Sequence, residues 1–433
     1  MRIVQTKHAV VQEELLAPFG FKGGYIDELW QSVVLLANET GEIGAGTGVQ
    51  SVLWSDADVF IRLGGQKGNE IMARMTTAAL DAARGKEFSD PFALLEHVLP
   101  QVYEYGRGHS HPDLRLTFAL NSLVPVDFAS WQLFARQSGI SSFDQLIPEE
   151  YRAPLSSRHS ALASTPLIPY GMPEEEIIRL LEEGYFVLKI KLGADPKQNG
   201  DRREMLEWDK KRLETVHRLA GERSSEFTES GRIVYYLDAN GRYDHKDRLL
   251  SLLEHADRIG ALERIVLLEE PFPENDKTEV ADLPVRIAAD ESVHNEEDAL
   301  ARIELGYGAI ALKPVAKTLS VSLKMAKLAH ERGIPCFCAD LTANPWMVDW
   351  NKNVAARLKP IPGLKTGLLE SNGHQNYRRW EEMRRHHPHG QAEWTESTRG
   401  IFRLTEAFYL VNGGILDRSE AYEQIATQGD RRG

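Results

Sequence analysis

Cysteine is nearly absent: the 433-residue chain has two, Cys336 and Cys338. They stand two apart in an apolar run, where an extended backbone puts both on one face and a mutual disulfide would be strained. No disulfide framework is therefore expected, and both read as buried thiols. Long apolar runs are missing too. None approaches the roughly 20 residues that a bilayer-spanning helix needs. The opening MRIVQTKHAVVQEELLAPFG lacks the unbroken apolar core of a secretory signal, so a cytoplasmic location is the expectation. Positive charge is in deficit as well, with a net charge of -13. That excludes unaided binding to nucleic acid or to an anionic membrane, either of which needs a basic face. At 42% apolar residues, the chain can still bury a full core spread over two or three structural units.

Two rhythms divide it. Residues 28–54 alternate and turn at Asn38-Glu39-Thr40-Gly41, which reads as an antiparallel hairpin. The glycines at 41, 44, 46 and 48 do not make a phosphate loop, because the chain continues as a strand instead of opening into a helix. Helical patterns follow over 69–106 and 114–136. From about Leu167, short β-rich runs alternate with amphipathic helix-length segments, the pattern of a parallel sheet. Eight such runs are legible: STPLIPY, FVLKIKLG, RIVYYLDAN, IVLLEEP, VRIAADE, GAIALKP, IPCFCAD and LKTGLLES. The fold class is therefore α/β, a (β/α)8-type barrel with an α+β capping domain built from the N-terminus and the C-terminal tail. The expected boundaries are 1–135 for the cap, 136–375 for the barrel and 376–433 for the tail. Within the barrel, residues 195–231 read as an insertion.

Five of the runs end in ionisable residues: Lys189 and Lys191, Asp238, Glu269, Asp290 and Lys313. Side chains alternate along a strand, so Lys189 and Lys191 point together into the barrel while Leu188 and Ile190 face the helices. Active sites of such barrels are built at these C-terminal strand ends. Asp238, Glu269 and Asp290 on successive strands would repel one another unless a hard cation holds all three ionised. Oxygen-only ligands favour Mg²⁺ over Zn²⁺.

With these residues in place the sequence resembles the enolase superfamily, and within it the muconate-lactonising subgroup, which includes dipeptide epimerases, N-acylamino acid racemases and o-succinylbenzoate synthases. The match rests on Lys189-Ile190-Lys191, on Asp238, Glu269 and Asp290, on Lys313, and on the DFASWQL segment at 127–133. The resemblance implies an enzyme in which Asp238, Glu269 and Asp290 bind Mg²⁺. It also implies that Lys191 and Lys313 form the acid/base pair on opposite faces of the substrate, and that Lys189 supports the substrate carboxylate. Two departures stand out. Lys317-Thr318-Leu319-Ser320 replaces a Gly-Gly pair found in many relatives. Glu370-Ser371-Asn372 replaces the Asp-x-Asp that holds a substrate ammonium in dipeptide epimerases.

The chemistry that suits the set is abstraction of the weakly acidic proton next to a carboxylate, with cationic groups stabilising the enediolate. Neighbouring cations and desolvation lower a lysine's pKa, so one lysine of the pair removes the proton and the charged one returns it. Racemisation or epimerisation of an amino-acid or dipeptide-type carboxylate is the leading expectation. A lyase or cycloisomerase using the same lysines, or a catalytically silent barrel, stays open. Substrate contacts are expected from Phe19, Phe21 and Lys22 in a glycine-rich loop of the cap, and from Asp340 and Glu370. A small carboxylate is the expected partner, and a homo-oligomer is left open. His109, His111, His386, His387 and His389 read as solvated loop, not a second metal site, and Trp346 and Trp350 as packing.

Overall fold

The computed structural model describes residues 1–21 and 24–429, and the side chains of residues 19–21 lie outside that description. Of the expected substrate contacts, Lys22 therefore falls outside the described residues, as do the side chains of Phe19 and Phe21.

The first layer is a three-stranded antiparallel meander, β1 (Ile3–Phe21), β2 (Gly24–Asn38) and β3 (Ile43–Gln50). Long helices at Ala57–Ala83 and Leu116–Gln137 pack against it, and a third, Pro91–His109, packs on those two helices. The first of these starts twelve residues before the periodic segment suggests. Asp56 caps it by accepting from the backbone N–H groups of Asp58 and Val59, and a kink at Gly64 interrupts the apolar stripe. The glycines of β3 have a packing role. A Cβ on Gly44 or Gly46 would run into backbone of Leu116–Gln137, so the helix lies directly on the sheet only because these side chains are missing.

The second layer is the barrel. Its strands in order are β4 (Ala161–Thr165) with β5 (Leu167–Ile168), then β6 (Val187–Lys191), β7 (Val234–Asp238), β8 (Ile265–Glu269), β9 (Ile287–Ala289), β10 (Ala309–Leu312), β11 (Cys336–Cys338) and β12 (Gly367–Glu370). All are parallel, each pairing with its neighbour. The first barrel strand is broken at Pro166, which has no N–H to give. Its first half pairs with β12 and its second half with β6, closing the ring. A hairpin of the tail, β13 (Ser397–Thr398) and β14 (Ile401–Arg403), adds to β4 in antiparallel fashion. The last helix, Glu420–Gly429, lies on the cap sheet, where Tyr422 and Ala426 cluster with Val33, Leu35 and Ala45. Trp346 stacks on Tyr422 and Trp350 on Phe128, so both indoles are packing.

Two expectations need correction. The helix Arg202–Ala220 is no insertion: it is the ordinary helix after β6, seated between the helices Glu174–Glu182 and Lys246–Arg258. Its charged surface disguised an inward stripe of Met205, Asp209, Leu213, Val216 and Ala220. Conversely, β8 and β9 are joined without a helix. Pro271, Pro273 and Pro284 in that stretch deny a helix its backbone donors.

Cys336 and Cys338 are free and buried on β11. Burial pushes the Cys336 thiol up to about 12 and raises Cys338 as well. Native protein at pH 8 is thus expected to leave a thiol reagent unconsumed, with two equivalents titrating in denaturant. Rapid labelling of the folded chain would contradict this burial.

Candidate active site

The register of the barrel assembles the site. Lys191 on β6 pairs with Asp238 on β7, which pairs with Glu269 on β8, so three ionisable residues share one level at the C-terminal rim. Glu269 pairs in turn with Ala288, which puts Asp290, two residues on, at the same mouth. Lys313 follows directly after β10. These five and Lys189 lie in the interior, with Lys191 the most exposed at 6%.

The lysines and carboxylates interlock. Lys189 Nζ lies 2.9 Å from Asp238, 2.8 Å from Glu269 and 2.9 Å from Glu370, over the ring of Tyr236. Lys191 Nζ donates to Asp238 Oδ2 at 2.6 Å and to Asn240 Oδ1. Lys313 Nζ is paired with Asp290 Oδ2, and its ammonium sits 4.4 Å from the centre of the Trp54 ring, which descends from the cap. Tyr236 donates its hydroxyl proton to Glu269 Oε2.

Burial opposes the charge on Lys189, but Asp238, Glu269 and Glu370 outweigh it and hold the ammonium well above lysine's ordinary pKa. Lys313 is likewise raised, burial being overcome by Asp290 and Glu269. Around these two lysines the carboxylates outnumber the nearby cations. Among the carboxylates, burial raises Asp238 and Asp290, but Lys189 and Lys191 in the first case, and Lys313 and Lys317 in the second, pull both below the ordinary range. Glu269 goes the other way, raised by burial and then by the charge of Asp238.

Glu269 Oε1 is buried and meets no hydrogen-bond donor. An orphaned carboxylate oxygen between two other carboxylates, in an all-oxygen donor set, fits a hard divalent cation in chemistry. The ammonium groups stand among these oxygens, and no group of three His, Cys, Asp or Glu among the described residues is spaced to hold a metal ion directly.

Asp340 and Glu370 do reach this site. Both line, with Lys189, Lys191, Asp238 and Lys313, a chamber of about 40 Å³ roofed by Ile26, Leu29, Ser51 and Trp54 of the cap. Asp340 is tied to backbone: Oδ1 accepts from Ala343 N at 3.1 Å and Oδ2 from Asn372 N at 2.8 Å. Burial and the charge of Glu370 push it up to about 6. Glu370 Oε2 accepts from Lys189 and, at 3.0 Å, from Asp340 N, so it buttresses Lys189.

Sequence reasoning missed Asn240, Trp54 and Lys317. Asn240 was legible only as part of an Asp-Ala-Asn-Gly turn, yet it joins Lys191 to Glu291. The histidines also need correcting, since two of them are not solvated. His387 is buried with its Nε2 2.9 Å from Asp349, and His111 is buried with its Nε2 3.4 Å from Asp56.

Residues 174–358 match the family described as enolase C-terminal domain-like. Among solved structures, the chain is similar to the L-Ala-D/L-Glu epimerase from Bacillus subtilis at 17% identity, covering 86% of this chain and 89% of that one with a TM-score of 0.63. It is similar to a dipeptide epimerase from Enterococcus faecalis V583, solved with Mg and the dipeptide L-Leu-L-Tyr, at 19% identity, 85% and 93% coverage and a TM-score of 0.60. A third is an N-succinyl Arg/Lys racemase from Bacillus cereus ATCC 14579, at 16% identity, 87% and 89% coverage and a TM-score of 0.62. At these identities the likeness is one of fold. No curated protein sequence matches the chain.

Proposed function

We propose that this protein, whose residues 174–358 match the family described as enolase C-terminal domain-like, removes and returns the proton next to a carboxylate, racemising or epimerising an amino-acid or dipeptide-type substrate. One observation carries the reading. Lys191 and Lys313 end the second and sixth strands of an eight-stranded ring, half a turn apart, and both line the same chamber. A carbon held between them meets an ammonium or amine on each face, which is what inversion through a planar intermediate requires.

Asp238, Glu269 and Asp290 would hold Mg²⁺, which when bound supplies positive charge to the oxygens of the enediolate. The remaining work falls to side chains. Lys189, buttressed by Glu370 and Asp238, presents a fixed positive charge to the substrate carboxylate. Lys191 and Lys313 exchange the α-proton, one as amine and the other as ammonium. The cap residues Ile26, Leu29 and Trp54 keep water from the carbanion. The similar structures, two epimerases and a racemase, one of them solved with Mg and a dipeptide, support the choice of substrate class.

The test is incubation with Mg²⁺ in heavy water and a panel of N-acyl amino acids and dipeptides. Recovered substrate is expected to carry α-deuterium and to be accompanied by its epimer. A chelator is expected to stop the exchange and to lower the thermal midpoint, through loss of the about 2.7 kcal/mol of stability that a ligand at a hundredfold its Kd supplies. Loss of water or ring closure would place the protein among lyases or cycloisomerases. Exchange on no substrate of the panel would defeat the reading.

A further inference from the structure

A third lysine stands behind the pair. Lys317 lies one helical turn after Lys313 and is 0% exposed. Its ammonium donates to the backbone carbonyl of Asp290 and, at 3.1 Å, to Asp290 Oδ1. Lys313 takes the other oxygen, Oδ2. One carboxylate thus carries two ammonium groups, one on each oxygen.

The two differ in freedom. Lys313 lines the reaction chamber and can turn toward a ligand there; Lys317 is not among the chamber's walls. The turn that bears Lys317 is also pinned from the cap: Asp127 accepts from Leu319 N at 2.8 Å, Ser320 N at 3.2 Å and the Ser320 hydroxyl. Lys317 is therefore a fixed counter-ion and Lys313 a movable one.

We propose that Lys317 is a positioning residue that keeps Asp290 Oδ1 permanently engaged, leaves a divalent cation only Oδ2, the oxygen that Lys313 vacates when it turns toward the chamber, and thereby holds the affinity of the site for that cation low. The inference rests on the reading of Asp238, Glu269 and Asp290 as the cation-binding set. A fixed positive charge this close to a divalent cation weakens its binding by about tenfold or more, even at an effective dielectric near 20. Asp290 does not need Lys317 to stay in place, since its backbone N–H donates to Glu270 Oε2 at 2.7 Å and its carbonyl accepts from Val293 N at 3.1 Å.

The experiment is a Mn²⁺ titration of the full-length protein, read by the free-ion paramagnetic signal and by calorimetry, for wild type, Lys317→Met and Lys317→Arg. Lys317→Met is expected to bind Mn²⁺ about tenfold or more tightly, and Lys317→Arg to stay within a few-fold of wild type. Equal or weaker binding by a folded Lys317→Met overturns the proposal while leaving the cation site standing. Absence of Mn²⁺ binding by all three proteins overturns the cation site and the proposal with it. If Lys317→Met does not fold, a structure of wild type with Mn²⁺ decides. Asp290 bound through Oδ2 with Lys317 still on Oδ1 is the expected result, and both oxygens on the metal is the contrary one.

Discussion

Lys313→Ala is expected to stop α-proton exchange on one face of the substrate, cutting turnover in that direction by about 10²- to 10⁴-fold, the usual worth of a general acid or base. Lys191→Ala should do the same on the other face. Starting each variant from each epimer in heavy water separates the two roles, because residual exchange will be confined to the stereoisomer whose proton faces the remaining lysine. The fold should survive. Removing one member of a buried ion pair ordinarily costs about 3–5 kcal/mol because the other charge is stranded. Here Asp290 keeps Lys317, at 3.1 Å from its Oδ1, and Asp238 keeps Lys189 after the loss of Lys191. Circular dichroism and the thermal midpoint should therefore stay near wild type while exchange on the affected face is lost. Equal loss on both faces from a single substitution would instead point to one lysine serving both steps.

The reason such roles are legible in a linear sequence is geometric. A parallel barrel gathers the C-terminal ends of its strands at one rim, so a charged residue closing an apolar run is already placed near every other such residue. Lys189, Lys191, Asp238, Glu269, Asp290 and Lys313 were found in this way, and the structure brings all six together, along with Asp340 and Glu370. Residues that reach the site from elsewhere carried no such mark. Trp54 belongs to a four-residue helical turn of the cap, Val52–Ser55, and meets Lys313 only because the cap docks on the barrel. Lys317 sits past the strand end, where a lysine is ordinarily solvated. Its burial depends on the turn being drawn inward by Asp127, 190 residues earlier in the chain. The break at Pro166 and the helix-free link from β8 to β9 are local and proline-driven, and the prolines were visible. The rhythm of the surrounding units masked them. The burial of His111 and His387 depended on aspartates remote in sequence, so polar neighbours in the chain pointed the wrong way.

The packing of the cap's own helix on its sheet leads to the largest expected effect on stability. Gly46 of β3 faces Leu116–Gln137, and a Cβ there would collide with the Pro125 carbonyl oxygen while standing 2.6 Å from Ala129 N and 3.1 Å from Pro125 C. The obstacles are backbone atoms, which cannot rotate aside, so Gly46→Ala must push the helix off the sheet. A cost of about 3 kcal/mol or more is expected, at the upper end for overpacking. The same helix carries Asp127, which holds the turn bearing Lys317 and, one helical turn back, Lys313. Displacing it should therefore reduce exchange activity along with stability, with Lys313-facing exchange suffering first. Gly41→Ala is the control. That glycine has a φ of +86° and nothing within 4 Å of a Cβ, so alanine there should cost only the roughly 1 kcal/mol of a strained turn. Its exchange rate should match wild type. A Gly46→Ala protein with both thermal midpoint and exchange intact would show that the helix can shift on its sheet without cost and without disturbing the lysines.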